Sequence, residues 1–178
     1  MPRGPGRCGG HAPWGTLRAV RAVAQALALR PCPGLLRDPH FLLGIAAGVA
    51  FWAALALLGQ ARPPDPARLR SGAYLYLALA APVLEELAFR GALMGWLLDY
   101  GWGRRRLAGL SGANWAASVL FTAAHFAYHP PLWAALVMAP SLLFGHLRDR
   151  TGSVVPGLLL HVLYNAGYFA LTPLPGGP

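Results

Sequence analysis

The stretch "APVLEELAFRGALMGWLL", Ala81–Leu98, is apolar except for Glu85, Glu86 and Arg90. A helix turns about 100° per residue, so Glu86 and Arg90, four apart, share one face and can neutralise each other. Glu85 is turned away from Glu86 and has no partner on its own helix. One carboxylate is thus paired structurally and the other is left for chemistry.

The composition around this segment selects its solvent. The 178-residue chain is 56% hydrophobic and only 12% charged, about half the charge of a soluble domain. No Asp, Glu, Lys or Arg occurs from 39 to 61, from 107 to 147, or from 151 to the end. A spanning helix needs about 20 mostly apolar residues, so these blocks predict an integral membrane protein embedded in a lipid bilayer. The net charge of +9 comes from arginine alone. The arginines cluster at the edges of apolar blocks, where anionic headgroups lie, and no nucleic-acid partner is expected. Cys8 and Cys32 make neither a disulfide framework nor a metal-ligand set.

The expected fold is an all-α, polytopic membrane bundle of about five transmembrane helices. The predicted spans are 41–60, 72–100, 113–128, 132–147 and 153–171. They form a domain over 39–174, followed by a short tail at 175–178. Residues 1–38 read as a basic Gly/Pro/Arg-rich tail, in which "TLRAVRAVAQALAL" predicts an interfacial amphipathic helix. With five spans and the N-terminus inside, eleven arginines fall on the cytoplasmic side and three outside, as the positive-inside rule requires. The expected location is a prokaryotic cytoplasmic membrane. Pro82 predicts a kink in the second span that frees backbone carbonyls.

Ionisable groups at bilayer depth cost at least about 2.5–3.5 kcal/mol each and mark functional sites by default. Five are present: Glu85, Glu86, Arg90, His125 and His161. At 1.5 Å per residue, Glu85, His125 and His161 lie roughly 21, 19 and 14 Å from the cytoplasmic ends of their spans. They can meet in one pocket near mid-membrane. Asn165 follows His161 by one turn. Such a set suits water activation: a desolvated carboxylate as base, an imidazole to hold the water, and an amide to stabilise an oxyanion.

"EELAFR" (Glu85, Glu86, Arg90), "FTAAH" (Phe121, His125) and "HVLYN" (His161, Asn165) together resemble the EExxxR, FxxxH and HxxxN motifs of the CAAX-protease and bacteriocin-processing (CPBP, or Abi) family of glutamic intramembrane proteases. The resemblance covers roughly 74–168, with the motifs in family order. It implies an intramembrane endopeptidase acting on a membrane-embedded or membrane-tethered peptide or protein. Glu85 and His125 would activate water, His161 and Asn165 would form the oxyanion hole, and Glu86 and Arg90 would support Glu85. Two His and a Glu suit zinc, but HExxH is absent and no obligatory metal is expected. Family members often have six to eight spans, so the N-terminal part of this chain is reduced.

Two other readings compete. "GLSG" (Gly109–Gly112) resembles the nucleophile motif of rhomboid serine proteases, with Ser111 attacking and His161 as base; against it, Ser111 suits a helix cap and that reading leaves Glu85 and His125 unused. A non-catalytic binding or immunity factor would use the same buried polar groups. His40, His129 and His146 read as helix-end or loop histidines, and the tryptophans as an interfacial belt.

Overall fold

The computed structural model describes residues 23–174; the rest of the basic tail and residues 175–178 lie outside them. The chain begins its first long helix, α1 (Pro39–Leu57), where Asp38 accepts hydrogen bonds from the His40 and Phe41 N–H groups at 2.9 and 3.1 Å. Proline at the first helical position has no N–H to leave unsatisfied. α2 (Gly72–Leu97) is a continuous 26-residue helix capped by Ser71, which accepts from Tyr74 N–H. α3 (Gly112–His125) is capped by Ser111 Oγ, which accepts from Asn114 N–H at 3.0 Å. α4 (Pro131–Leu136), α5 (Met138–Thr151) and α6 (Val155–Leu171) complete the bundle.

One feature departs from an all-helical chain. Between α2 and α3, β1 (Arg106–Leu107) and β2 (Leu110–Ser111) pair antiparallel, Arg106 opposite Ser111. Ala108 and Gly109 between them have φ of 51° and 81°. Two consecutive positive φ values are what a twist-compatible two-residue hairpin loop demands.

α1 and α2 are long and apolar enough to cross a membrane. α3 has 14 residues and α6 has 17, about 21 and 26 Å at 1.5 Å per residue, against a hydrocarbon core of about 30 Å. The fourth predicted span, 132–147, is not one helix. It divides at Val137 into α4 and α5, and α5 runs on through Arg148, Asp149 and Arg150. The cause is Pro140. It lacks the N–H that would bond the carbonyl four residues back, on Leu136, and its ring crowds that carbonyl. α4 ends at Leu136.

α5 packs between α3 and α6, and α6 packs on α1 and on the first half of α2. Small residues let the backbones approach, as in membrane bundles generally. Gly145 of α5 lies against the Asn114 side chain, so closely that a Cβ would overlap it. Asn114 Nδ2 donates to Leu142 C=O at 3.1 Å and accepts from Ser118 at Oδ1. The polar stripe at the start of α3 therefore joins helices rather than entering the site. Gly44 and Gly48 face Leu160 and Tyr164 of α6, and Tyr164 Oη donates to Gly44 C=O at 2.6 Å. Phe41, Phe144, Leu147 and Leu160 form one buried cluster; Met94, Leu97, Ala113 and Ala117 form another.

At the end of the bundle where α5 stops, Arg150 meets Asp38 at 3.1 Å, and His146 Nε2 lies 3.1 Å from His40 Nδ1. The two helix-end histidines are thus a contacting pair. The described end of the predicted interfacial segment is tied to the same face. Val154 N–H donates to Ala28 C=O, Ser153 Oγ donates to Arg30 C=O at 2.7 Å, and Leu27 lies beside Gly91 of α2.

Candidate active site

The local cause of the site is Pro82. Just before it, α2 widens over Tyr76–Ala80 into i→i+5 pairing, with Ala81 N–H bonding Tyr76 C=O. That shift takes from Leu77 C=O its i+4 donor. Its i+5 partner would be Pro82, which has no N–H. Leu77 C=O is orphaned in the middle of the bundle, and Asn165 Nδ2 on α6 donates to it at 3.0 Å. A second widened segment, Leu87–Leu93, follows. The one α-helical turn between them, Ala81–Glu86, carries both glutamates. Widened turns of this kind recur at functional sites.

Glu86 is fully buried and Arg90 is 1% exposed. Arg90 Nη1 donates to Glu86 Oε1 at 2.9 Å, and Nη2 donates to the Ser141 carbonyl at 3.1 Å and to its hydroxyl at 2.6 Å. The guanidinium lies over the Phe121 ring, 4.4 Å from its centroid, so it is held by charge, hydrogen bonds and an aromatic face together. The i,i+4 pairing seen in the sequence is present, but it is only part of the arrangement. Glu86 Oε1 also accepts from His161 Nδ1 at 3.0 Å. Gly157 leaves room for its other oxygen.

His161 therefore stands between two carboxylates. Its Nδ1 faces Glu86, and its Nε2 lies 3.6 Å from Glu85 Oε2, an ion-pair separation too long for a direct hydrogen bond. The ring stacks on Phe144 with centroids 5.0 Å apart and meets the edge of Phe121. Glu85 differs from Glu86 in exposure, with 35% of its side chain accessible. His125 is oriented by its own helix, since Nδ1 bonds Phe121 C=O at 2.8 Å. A carbonyl only accepts, so Nδ1 carries the hydrogen and Nε2 of the neutral ring is an acceptor.

Glu85, His125, His161 and Asn165 all line one cavity of about 500 Å³ to which all six helices, α1 to α6, contribute. Glu86 and Arg90 lie behind His161, outside the cavity lining. Ser111 is also outside it: its hydroxyl caps α3, and its N–H donates to Asp149 Oδ2 at 3.1 Å. The remaining walls are apolar and aromatic. Trp52 and Trp133 are among them, so these two tryptophans serve the cavity rather than an interfacial belt. Phe51, Trp133 and Tyr168 stand in mutual contact on its wall, with centroids 5.2–6.4 Å apart.

Three parts of the site have no signature in the sequence motifs: Ser141 behind Arg90, the Leu77 carbonyl, and the Glu86–His161 bond. Only the carbonyl had a signal, in Pro82. Among the described residues no group of three His, Cys, Asp or Glu side chains has the disposition of a metal site.

No curated protein and no solved structure matches this chain. Residues 68–167 match the family described as type II CAAX prenyl endopeptidase Rce1-like. That stretch is more than half of the chain and contains all three motifs, with Glu85, His125, His161 and Asn165: the protein belongs to this family of integral-membrane CAAX-type proteases.

Proposed function

We propose that the chain is an intramembrane endopeptidase that hydrolyses a peptide bond of a membrane-embedded or membrane-tethered protein or peptide, with Glu85 and His125 activating water and His161 and Asn165 holding the oxyanion. The observation that carries this reading is the clamping of His161 between Glu86 and Glu85. Glu86, ion-paired to Arg90, is an ionised acceptor, so the hydrogen on His161 Nδ1 is committed to it. Nε2 can then donate only when the ring is an imidazolium. In that state the four groups sum to zero: two carboxylates, one guanidinium and one imidazolium. Neutrality is the condition under which such a cluster survives at bilayer depth.

The chemistry follows from the donors and acceptors. Glu85 and His125 Nε2 are both acceptors on one cavity, so a water between them points its hydrogens at the two residues and its lone pair at a substrate carbonyl. Attack passes a water proton to Glu85. The carbonyl oxygen becomes an oxyanion, met by His161 Nε2–H and by the second hydrogen of Asn165 Nδ2, the first being held by Leu77 C=O. Collapse breaks the C–N bond as Glu85 returns its proton to the leaving nitrogen. The products are a carboxylic acid and an amine. No metal takes part in this scheme. The proposed topology has five crossings, by α1, α2, α3, α5 and α6, with the N-terminus inside a prokaryotic cytoplasmic membrane.

The test is Glu85→Gln in the full chain, reconstituted in proteoliposomes with a pool of internally quenched, lipid-tethered peptides. Cleavage should fall below detection while the folded fraction is unchanged. Undiminished cleavage in this variant rejects the mechanism. Cleavage lost in Ser111→Ala but kept in Glu85→Gln would favour the serine reading instead.

A further inference from the structure

We infer that His129 is a positioning residue of this enzyme, serving as the proton exit from the cavity by exchanging protons between His125 and the aqueous phase. The inference rests on the hydrolytic reading above, and its test is built to fail separately.

His129 follows His125 by one helical turn, beyond the end of α3, where "HP" begins the connection to α4. Its N–H bonds His125 C=O at 3.0 Å, which continues the turn. The two imidazoles are nearly parallel, 16° apart, with centroids 5.6 Å from each other. Both line the 500 Å³ cavity. His125 is tied by Nδ1 to Phe121 C=O, whereas His129 is held by this stacking and is half-buried. Among the described residues, the ionisable side chains sharing its cavity are Glu85, His125, His161, Tyr164 and Tyr168, and no arginine lines it. Burial, and then the neighbouring His125, lower the His129 pKa below the ordinary 6.5, so the ring is neutral and ready to accept near pH 7.

The need for an exit comes from proton balance. Hydrolysis splits one water. One of its protons reaches the leaving amine through Glu85. The other stays on the new carboxylic acid, which becomes a carboxylate only by giving that proton up. His125 Nε2 is the acceptor facing it. Because Nδ1 already carries a hydrogen, the gained proton must leave from Nε2 before His125 can orient another water. His129, parallel to His125 and within reach of it through one water, takes this proton and releases it at the lip, next to Tyr128, which is 87% exposed.

Two measurements on the full chain in nanodiscs decide it. In ¹⁵N-histidine-labelled protein, proton exchange with water at His125 Nε2, read from the pH-dependent broadening of that ¹⁵N resonance, should slow roughly tenfold in His129→Phe, which preserves the ring stack and removes the nitrogens. Unchanged exchange overturns the inference. This readout needs no substrate, so it stands even if hydrolysis is never observed. Where the peptide pool is cleaved, His129→Phe should lower kcat by a similar factor with KM unchanged, and imidazole in the buffer should restore His129→Ala. A KM effect without a kcat effect, or no rescue by imidazole, also overturns it.

Discussion

Glu86 has two partners, and replacing it with glutamine separates what each contributes. Toward Arg90 the change removes the countercharge of a guanidinium that is 1% exposed and leaves it Ser141 and an uncharged amide oxygen as polar partners. Breaking a buried pair from one side costs about 3–5 kcal/mol. The Gln oxygen still accepts a hydrogen bond, which places the expected loss near 3 kcal/mol. Toward His161 the change weakens the acceptor that holds the Nδ1–H and so the placement of the ring whose Nε2–H is proposed to meet the oxyanion. Loss of one oxyanion donor lowers kcat about 10²- to 10³-fold. A double-mutant cycle distinguishes the two routes. In a His161→Gln background, Glu86→Gln should leave kcat almost where His161→Gln put it, because Glu86 acts on the reaction through that ring. Its effect on stability, measured by denaturant unfolding in detergent, should persist, because Arg90 is still stranded. Additive kcat losses would refute the relay from Glu86 to His161. A stability loss with kcat intact would reduce Glu86 to a counterion for Arg90.

Pro82→Ala restores a backbone N–H beside the Leu77 carbonyl; Asn165 should lose its exclusive claim on that oxygen, and kcat should fall while the melting temperature holds or rises, checked by cleavage and thermal unfolding together. Ser111→Ala removes the cap of α3 and should cost about 0.5–2 kcal/mol with cleavage per folded molecule unchanged. A pH effect is expected at the α1 cap. Burial pushes the Asp38 carboxyl up, but the Phe41 N–H, Arg150 and His40 N–H together outweigh it, and its pKa lies below 3.8. A depressed acid stabilises the fold fully above its unfolded value and loses that contribution as pH falls through the folded value. Melting temperatures between about pH 5 and pH 3 should therefore decline more steeply in the parent than in Asp38→Asn.

The sequence by itself pointed to the membrane as solvent and identified the polar residues inside the apolar blocks. These are local properties: hydropathy, helical period and the cost of a buried charge act on a few neighbouring residues at a time. It also marked Pro82 as the place where α2 departs from α-helical pairing, since the missing N–H is a property of that one residue. The break between α4 and α5 was legible in principle from Pro140 for the same reason, although hydropathy alone ran the two together. What lay beyond the sequence was which groups meet across helices. The i,i+4 spacing made Arg90 the only visible partner of Glu86, while the fold adds His161 from 75 residues away and Ser141 from α5. Asn165 could be read as an oxyanion donor, but its hydrogen bond to the Leu77 carbonyl exists only because α6 packs on the widened part of α2. Likewise His129 read only as a loop histidine before two prolines until its ring was seen parallel to His125 on a shared cavity. Rotations of a helix by a fraction of a turn leave its hydropathy unchanged and its partners different, so close packing between helices had to decide them.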